Sequence, residues 1–403
     1  MNLLRKTFCR VYQFALHAAL PVLPYREPQI LESTDEIGLQ IKKLKLNSVL
    51  IITDEFLKKS GATASVEISL YNNNIKYTVY DRTRPNPTVQ NVEEAFELYN
   101  KEKCQCLVAF GGGSAMDCAK AVGARVSYPR HSLDKLKGTL KIFRKLPPLF
   151  AVPTTAGTGS EVTVTAVITD TETKHKYTMN SFPLIPGFAV LDPKVTYTLP
   201  KNLTATTGMD ALTHAIEAYI GRSTSKETRQ LSKNAVKLIF ENIEIAYNNP
   251  QNYTARENML KAAYKAGIAF SKSYVGYIHA VAHSLGGQYN VPHGFANSVL
   301  LPIFLEEYGE KIHKKLYELA LYCGVAHEED SVQLGARKFI DKIKTLSKNM
   351  DIPRTIEGIK REDIPTMAKH ADREGNPLYP VPILLNAKEL EKFYYMVADW
   401  SQK

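Results

Sequence analysis

"CLVAFGGGSAMDCAKAV", residues 106–122, joins a short apolar run, three glycines and a helical pattern that begins near Ala115. Such an apolar run is typical of a strand buried on both faces of a sheet. Glycines let the backbone approach a phosphate closely, and the free N–H groups at the start of a helix attract an anion. The segment therefore predicts a strand, a phosphate-binding turn that ends in Ser114, and a helix.

The neighbouring segments extend this pattern into an α/β domain. "SVLIITD" (48–54) and "IKYTVYD" (75–81) are further predicted strands, and "TVQNVEEAFELYNKEK" (88–103) has helical periodicity. Strand, helix and strand in this order imply a parallel sheet. Beyond residue 200, apolar residues recur at intervals of three and four, and strand-like runs disappear. We therefore predict an α/β dinucleotide-binding domain at 1–200 and an all-helical domain at 201–403.

Composition and charge narrow the class of protein. Hydrophobic residues make up 44% and charged residues 23% of the chain, as in soluble globular proteins, and no apolar run is long enough to cross a membrane. The net charge of +10 is scattered, and its densest run, at 134–145, is more typical of a solvated face than of a nucleic-acid contact. We therefore expect neither a nucleic-acid nor a membrane partner.

Cysteine usage and the N-terminus bear on the compartment. The five cysteines are odd in number and irregularly spaced, which argues against a disulfide framework and favours a reducing compartment, the cytoplasm. The first 26 residues carry four basic residues and no acidic one, so a signal or organellar transit peptide is an alternative. Because Gln13 and His17 interrupt the apolar stretch, we favour an amphipathic helix of the mature protein.

Two further features of the α/β half fit a nucleotide site. "VPTTAGTGSEVT" (152–163) combines glycines with the hydroxyl donors Thr154, Thr155, Thr158 and Ser160. Such turns are also common without a ligand, so the segment gains weight only beside the first glycine turn. Asp54 ends a predicted strand, where its carboxylate could accept both ribose hydroxyls of an NAD adenosine or cap the following helix. Both interpretations of Asp54 stay open at this point.

A cluster of histidines in the helical half predicts a metal site. "GMDALTHAIEAY" (208–219) places Asp210 four residues before His214, and "YIHAVAHSLGG" (277–287) places His279 four residues before His283. Residues at this spacing share one face of a helix. Because the flanking residues are apolar or small, these polar groups are expected to face inward, where a divalent cation is an economical common partner. One carboxylate with imidazoles suits Fe(II) or Zn(II) better than Mg²⁺ or Ca²⁺.

These motifs together resemble the iron-containing (group III) alcohol dehydrogenases. The two glycine segments, the Asp–His segment and "HAVAHSLGGQYNVPHGFANSVLLP" (279–302) stand in that family's order. The resemblance implies a metal-dependent, NAD-linked dehydrogenase or reductase that transfers hydride between nicotinamide and a small aliphatic alcohol, diol or aldehyde. It also implies a homodimer or larger homo-oligomer.

Carried over residue by residue, the resemblance implies a complete set of site residues. The implied metal ligands, for Fe(II) or Zn(II), are Asp210, His214, His279 and His293. The implied cofactor residues are Gly112, Gly113 and Ser114 at the pyrophosphate, Thr154, Thr155 and Thr158 on the nucleotide side, Lys176 at the nicotinamide ribose, and Asp54, whose carboxylate favours NAD over NADP. The resemblance implies that His283 faces the substrate, and we expect it to relay a proton, with an alternative role in orienting His279. Thr165 and Phe270 are implied pocket residues.

Other functions remain as alternatives. Ser284 and the C-terminal stretch 376–394 depart from the pattern of many members, and this leaves the substrate open. A zinc-dependent glycerol dehydrogenase or a dehydroquinate-synthase-like enzyme would share the fold, although the latter has a different ligand set that begins with Glu. A non-enzymatic nucleotide or metal sensor would be expected to have a damaged ligand set.

Overall fold

The computed structural model describes residues 1–19, 23–171 and 175–401. Its contacts divide the chain into two compact units, one of Pro24–Leu199 and one of Met1–Leu23 with Pro200–Lys403. Helix α1 (Leu3–Ala19) therefore lies with the helical unit and not, as predicted, with the α/β domain of residues 1–200. The physical reason is polar anchoring, since Arg5 forms a bidentate ion pair with Asp372.

The α/β unit contains two sheets. Its strands are β1 (Gln29–Leu31), β2 (Ser48–Ile52), β3 (Lys76–Tyr80), β4 (Cys106–Gly111), β5 (Gly138–Thr139), β6 (Leu149–Pro153), β7 (Thr165–Asp170), β8 (His175–Asn180) and β9 (Phe188–Val190). Six of them form a sheet in the order β1-β9-β6-β4-β2-β3, and all of its pairings are parallel. Strands β7 and β8 pair antiparallel in the smaller sheet, whose order is β5-β8-β7.

Both faces of the six-stranded sheet are buried, as the apolar runs predicted. Leu50 and Ile52 belong to one hydrophobic cluster, whereas Val49 and Ile51 of the same strand belong to another. The helices of this unit are α2 (Glu36–Lys43), α3 (Glu55–Lys59), α4 (Ala64–Asn72), α5 (Val89–Lys101), α6 (Gly113–Ser127) and α7 (Leu133–Leu136). The predicted fold class, a parallel α/β domain followed by a helical domain, is confirmed.

The helical unit is built around one buried helix. Its elements from Pro200 onward are α8 (Lys201–Ile220), α9 (Lys226–Asn248), α10 (Tyr253–Ser273), α11 (Tyr277–Tyr289), α12 (His293–Tyr308), α13 (Glu310–Tyr322), α14 (Val332–Asn349), α15 (Ile364–Gly375) and α16 (Ala387–Val397). Helix α8 packs against α9, α10 and α12. A Cβ on Gly208 would lie 2.7 Å from Ile243 and 2.8 Å from Met259, so this glycine allows close packing.

Helix α1 buries a polar side chain and exposes several large apolar ones. Its polar Gln13 and its Cys9 are buried, whereas the large apolar side chains of Leu4, Phe8 and Phe14 are exposed. Within the described part of the chain, no helix is both long and apolar enough to span a membrane.

Candidate active site

The four predicted metal ligands come together in the helical unit. Asp210 and His214 lie one turn apart on α8, His279 lies near the start of α11, and His293 is the first residue of α12. One ligand atom from each residue can be chosen so that all four lie within 4.8 Å of one another. Asp210 Oδ1 is 3.4 Å from His293 Nε2 and 3.8 Å from His279 Nε2.

Two glycines let the ligand-bearing helices approach α8. A Cβ on Gly294 would lie 2.6 Å from the carbonyl oxygen of Thr206, and a Cβ on Gly276 would lie 2.5 Å from Glu217 Oε1. Real side chains do not approach backbone this closely, so the start of α12 depends on glycine. At Gly276 a side chain would displace the Glu217 carboxylate that holds His279. Helices α11 and α12 can therefore begin directly against the α8 face that carries the Asp–His pair.

The chemistry of the cluster fits a divalent metal ion. His279 Nε2 is buried and makes no hydrogen bond to any residue that the structure describes. Burial and the neighbouring histidines lower the pKa of His279 well below its usual range, so the ring is neutral and its lone pair is available. The ring of His214 is stacked between Phe270 and His279, at centroid distances of 4.3 and 4.4 Å. Three imidazoles and a carboxylate suit Fe(II) or Zn(II).

Glu217 orients His279 and was not identified from the sequence. Its Oε2 lies 2.5 Å from His279 Nδ1, and its Oε1 accepts from the backbone N–H of Ile278 at 2.9 Å. With the proton on Nδ1, His279 turns the lone pair of Nε2 towards Asp210. Burial raises the pKa of Glu217, and the N–H groups at the start of α11, which donate to its carboxylate form, oppose that rise. A sequence signal existed, because Asp210, His214 and Glu217 follow the i, i+4, i+7 spacing of one helix face.

Asn297 is a second residue that sequence reasoning missed. It is fully buried one turn after His293, and its Nδ2 donates to Asp210 Oδ1 at 2.6 Å. The same nitrogen is 3.1 Å from His293 Nε2. Asn297 therefore holds the carboxylate of Asp210 beside the His293 ring.

His283 lies beside the cluster but has its own carboxylate partner. Its ring is exposed, stacks on His293 with centroids 5.0 Å apart, and places Nδ1 2.6 Å from Glu374 Oε1. Tyr379 Oη donates to the same Glu374 oxygen at 2.8 Å. The His283 ring also stands edge-on to the His279 ring, with centroids 6.0 Å apart, so its relay role and its alternative role in orienting His279 both stay predictions.

The two glycine segments of the α/β unit are adjacent. Helix α6 begins at Gly113, two residues before the predicted start, with Gly112 as its N-terminal cap. The Thr154 N–H donates to the carbonyl of Gly111 at 3.0 Å, and a Cβ on Gly113 would lie 3.0 Å from Thr158 Cγ2. The backbone N–H groups at this helix start and the threonine hydroxyls therefore share one edge of the sheet.

Comparison with known proteins identifies the family. The profile described as iron-containing alcohol dehydrogenase matches residues 31–193, and that of the C-terminal part of the Fe-containing alcohol dehydrogenase family matches residues 204–396. The chain belongs to the iron-containing alcohol dehydrogenase family. It is therefore an oxidoreductase of the alcohol dehydrogenase class, and the resemblance drawn from the motifs is confirmed.

Individual relatives agree with this family. A 1,3-propanediol dehydrogenase of Citrobacter freundii is 37% identical over 362 residues, which cover 89% of this chain and 93% of the relative. The crystal structure of a 1,3-propanediol oxidoreductase superposes with a TM-score of 0.88 at 35% identity and covers 93% of this chain and 99% of its own. A sulfoacetaldehyde reductase from Bifidobacterium kashiwanohense, solved in complex with NAD+, has a TM-score of 0.84 at 29% identity over 94% of this chain and 98% of its own.

Asp54 follows β2, which pairs with β4 directly before the glycine turn. Its Oδ1 accepts from the N–H of Leu57 at 2.8 Å, so Asp54 caps α3 as one interpretation of the sequence held. Asp54 and Gly112 thus lie beyond the carboxyl ends of neighbouring parallel strands, where dinucleotides bind in open α/β sheets. The ribose role of Asp54 stays a prediction.

The remaining predicted residues occupy separate places. Lys176 lies on β8 opposite Thr169, and burial lowers the pKa of its ammonium group. Thr165 begins β7, and its hydroxyl donates to Asn180 Oδ1 at 2.6 Å. Phe270 contacts the group of four predicted metal ligands by stacking on the ring of His214. The cofactor and pocket roles of these residues stay predictions.

A buried polar cluster stabilises the second glycine segment and was not identified from the sequence. The Lys120 ammonium, fully buried on α6, shares its three N–H donors among four oxygens at 2.8 to 3.1 Å: Ser160 Oγ, Thr163 Oγ1 and the carbonyls of Thr163 and Thr165. Asp117, one turn earlier on the same helix, accepts from Ser160 Oγ at 3.0 Å. Burial lowers the pKa of Lys120 to about 8 and raises that of Asp117 to about 6. These bonds tie residues 160–165 to the helix that follows the glycine turn.

The Ser284 departure from the family pattern has a local explanation. Ser284 is buried, donates to the carbonyl of Val281 at 2.8 Å, and lies 2.6 Å from the hydroxyl of Tyr394 on α16. A proline would make neither bond. In this chain the serine links α11 to the C-terminal helix α16.

Proposed function

We propose that this protein is a metal-dependent, NAD-linked alcohol dehydrogenase and aldehyde reductase for small aliphatic alcohols, diols or aldehydes. The observation that carries the proposal is the group of three imidazoles and one carboxylate, of which all but the half-exposed His293 are buried. Within it, His279 Nε2 has no hydrogen bond to any described residue. Family membership supports the same activity, and similar proteins include a 1,3-propanediol dehydrogenase and a lactaldehyde reductase.

Asp210, His214, His279 and His293 would hold the metal ion, which we propose is Fe(II), with Zn(II) as the alternative. Bound there, the ion would act as a Lewis acid on the alcohol or carbonyl oxygen of the substrate. Glu217 keeps the proton of His279 on Nδ1, and Asn297 holds the carboxylate of Asp210 in place. These two residues thus set the direction of the ligand atoms.

His283 is our candidate for the proton relay. Because its Nδ1 faces Glu374, we assign proton exchange with the substrate to Nε2. The Glu374 carboxylate would stabilise the ring when it carries the additional proton, as carboxylates do for other catalytic histidines. Hydride would pass between the substrate carbon and nicotinamide C4.

NAD is the proposed coenzyme, with NADP as the alternative. The N–H groups at the start of α6, with Gly112, Gly113 and Ser114, would bind the pyrophosphate. Asp54 would bind the adenosine ribose and repel a 2′-phosphate. A relative at 29% identity was solved with NAD+. The remaining proposed contacts are those of Thr154, Thr155, Thr158 and Lys176 with the nucleotide, and of Thr165 and Phe270 with the substrate.

The binding partners and the cellular compartment are part of the same proposal. A small alcohol or aldehyde is the only partner we propose apart from further copies of the chain in a homodimer or larger homo-oligomer. The cysteines Cys9, Cys104, Cys106, Cys118 and Cys323 are all free thiols, and this supports the reducing cytoplasm as the compartment.

The test is a metal-reconstitution assay under anaerobic conditions. Metal-stripped protein is supplied with Fe(II) or Zn(II), and NADH oxidation is followed with a panel of short aldehydes, alongside NAD reduction with 1,3-propanediol and glycerol. We expect activity only after metal addition, and its loss in His279→Ala. Full activity in a metal-free protein would refute the mechanism, and activity restored by zinc with glycerol alone would favour the glycerol dehydrogenase alternative.

A further inference from the structure

Helix α1 lies outside both segments that match the family, which begin at residues 31 and 204. It is nevertheless anchored to the helical unit by specific polar contacts. Gln13, buried within the unit, donates through Nε2 to the carbonyls of Pro377 and Tyr379 at 3.1 and 2.6 Å. Arg10 donates to the carbonyls of Val381 and Pro382 at 2.8 and 3.1 Å.

All four of these carbonyls belong to the loop of residues 376–386, which connects α15 to α16 and is called here the α15–α16 loop. A loop rich in proline has few N–H donors of its own, so its carbonyls need donors from elsewhere. Arg10 also donates to Gln13 Oε1 at 2.8 Å and thereby fixes the amide that contacts the loop. Helix α1 therefore supplies side-chain donors to four carbonyls of this stretch of backbone.

The α15–α16 loop reaches the active site at two points. Its Tyr379 donates to the Glu374 carboxylate, which is 2.6 Å from His283 Nδ1. Its Val381 lies 3.5 Å from where a Cβ on Gly276 would be, and the same Cβ would contact Glu217. The loop therefore packs beside both carboxylates that hold the active-site histidines.

We propose that helix α1 is a positioning element of the active site. By holding the α15–α16 loop, Gln13 and Arg10 fix Tyr379 and Glu374, and through them the ring of His283. This inference rests on the proposed function, because it assumes that His283 exchanges a proton with the substrate. A helix that lies outside both family-matching segments thus supports a loop that lies within the second one, residues 204–396.

The main test variant is Gln13→Met, which keeps the volume of the side chain and removes both donors. Displacement of catalytic groups by a fraction of an ångström to about 1 Å costs roughly ten- to a hundredfold in rate, and we expect a fall in kcat of about tenfold. The KM for NAD and the bound zinc should stay within about twofold of the wild type, because Gln13 contacts neither the metal ligands nor the cofactor residues. The matched control is Phe14→Ala. Phe14 directly follows Gln13 in the sequence but its side chain is exposed, so its removal should leave kcat unchanged.

A double-mutant cycle separates positioning from a general loss of stability. If α1 acts through Glu374, Gln13→Met should have less than about a twofold effect in a Glu374→Gln background. Hydrogen–deuterium exchange should show faster exchange in the α15–α16 loop for Gln13→Met and not for Phe14→Ala. Should Gln13→Met fail to fold, Arg10→Lys replaces it in the same cycle.

The outcomes distinguish the two proposals. If the wild type shows no metal-dependent dehydrogenase activity, the proposed function fails and this inference fails with it. If the wild type is active and Gln13→Met keeps the wild-type kcat, or its effect adds fully to that of Glu374→Gln, the inference alone is overturned. A selective fall in kcat that disappears in the Glu374→Gln background supports it.

Discussion

Replacing Glu217 with glutamine tests whether the ligand set depends on a fixed histidine tautomer. Glu217 accepts at both oxygens, from His279 Nδ1 at 2.5 Å and from the Ile278 N–H at 2.9 Å. A glutamine offers one acceptor and one donor in the same space. Either the amide N–H opposes the N–H of Ile278, or it donates to His279 Nδ1 and drives the proton to Nε2, the atom proposed to bind the metal.

The expected magnitude follows from what such orienting partners contribute. Mutation of a carboxylate that orients a metal-bound histidine typically weakens metal binding by about ten- to a hundredfold, equivalent to about 1.4 to 2.8 kcal/mol. We expect the upper part of this range, because Glu217 and His279 are both buried and water cannot replace the lost bond.

The assay is a competition titration of the metal-stripped protein with Zn(II) against a chromophoric chelator. The matched control is Glu318→Gln, which changes a carboxylate that accepts from Tyr219 of the same helix at 2.7 Å but does not contact a proposed ligand. A hydroxyl can bond to either end of an amide, so zinc affinity should not change in the control. Zinc affinity within twofold of the wild type in Glu217→Gln would refute the orienting role.

Three further predictions concern the α/β unit. Asp54→Ser keeps a capping oxygen but removes the charge, so the NADP-to-NAD ratio of kcat/KM should rise about tenfold without loss of thermal stability, and an unchanged ratio would remove Asp54 from the cofactor site. Gly113→Ala places a Cβ 3.0 Å from Thr158 and should raise the KM for NAD at least about fivefold, whereas Gly123→Ala on the same helix, with its nearest contact at 3.4 Å, should not. Burial lowers the pKa of Lys120 from 10.5 to about 8, so between these pH values the unfolded state binds more protons than the folded state. The thermal midpoint of the wild type should therefore rise with pH over this range relative to that of Lys120→Met, and parallel pH profiles of the two proteins would contradict this.

The sequence predicted those elements whose periodicity is dictated by burial. Strands β2 and β4 were predicted because every residue in them is buried, which selects continuous apolar runs. The helix at 88–103 was predicted because its apolar residues follow one face, and the structure places it at Val89–Lys101 with Thr88 as its cap. The N-terminal residues were assigned to the wrong unit because their packing depends on polar contacts to residues more than 350 positions away.

The candidate site was predictable where its residues are close in sequence. Asp210 and His214 form an i, i+4 pair, and a single helix fixes their relation. Glu374 could not be inferred in the same way, because it lies 91 residues from His283 and only the packing of α15 on α11 brings them together. Glu217 is intermediate, since its spacing was visible but its partner, the start of α11, is a tertiary feature.

The close approach of α11 and α12 to α8 explains why motif and geometry coincide in this chain. Gly276 and Gly294 stand immediately beside the ligand-bearing starts of these helices, and a side chain at either position would overlap Glu217 or the backbone at Thr206. Each helix start therefore presents its histidine to α8 without an intervening side chain. His279 comes three residues after Gly276 and His293 directly before Gly294, and this spacing brings the two Nε2 atoms to 3.8 and 3.4 Å from Asp210 Oδ1. In this unit, the glycines determine how close the ligands can come, and the carboxylates of Glu217 and Glu374 determine which way the rings face.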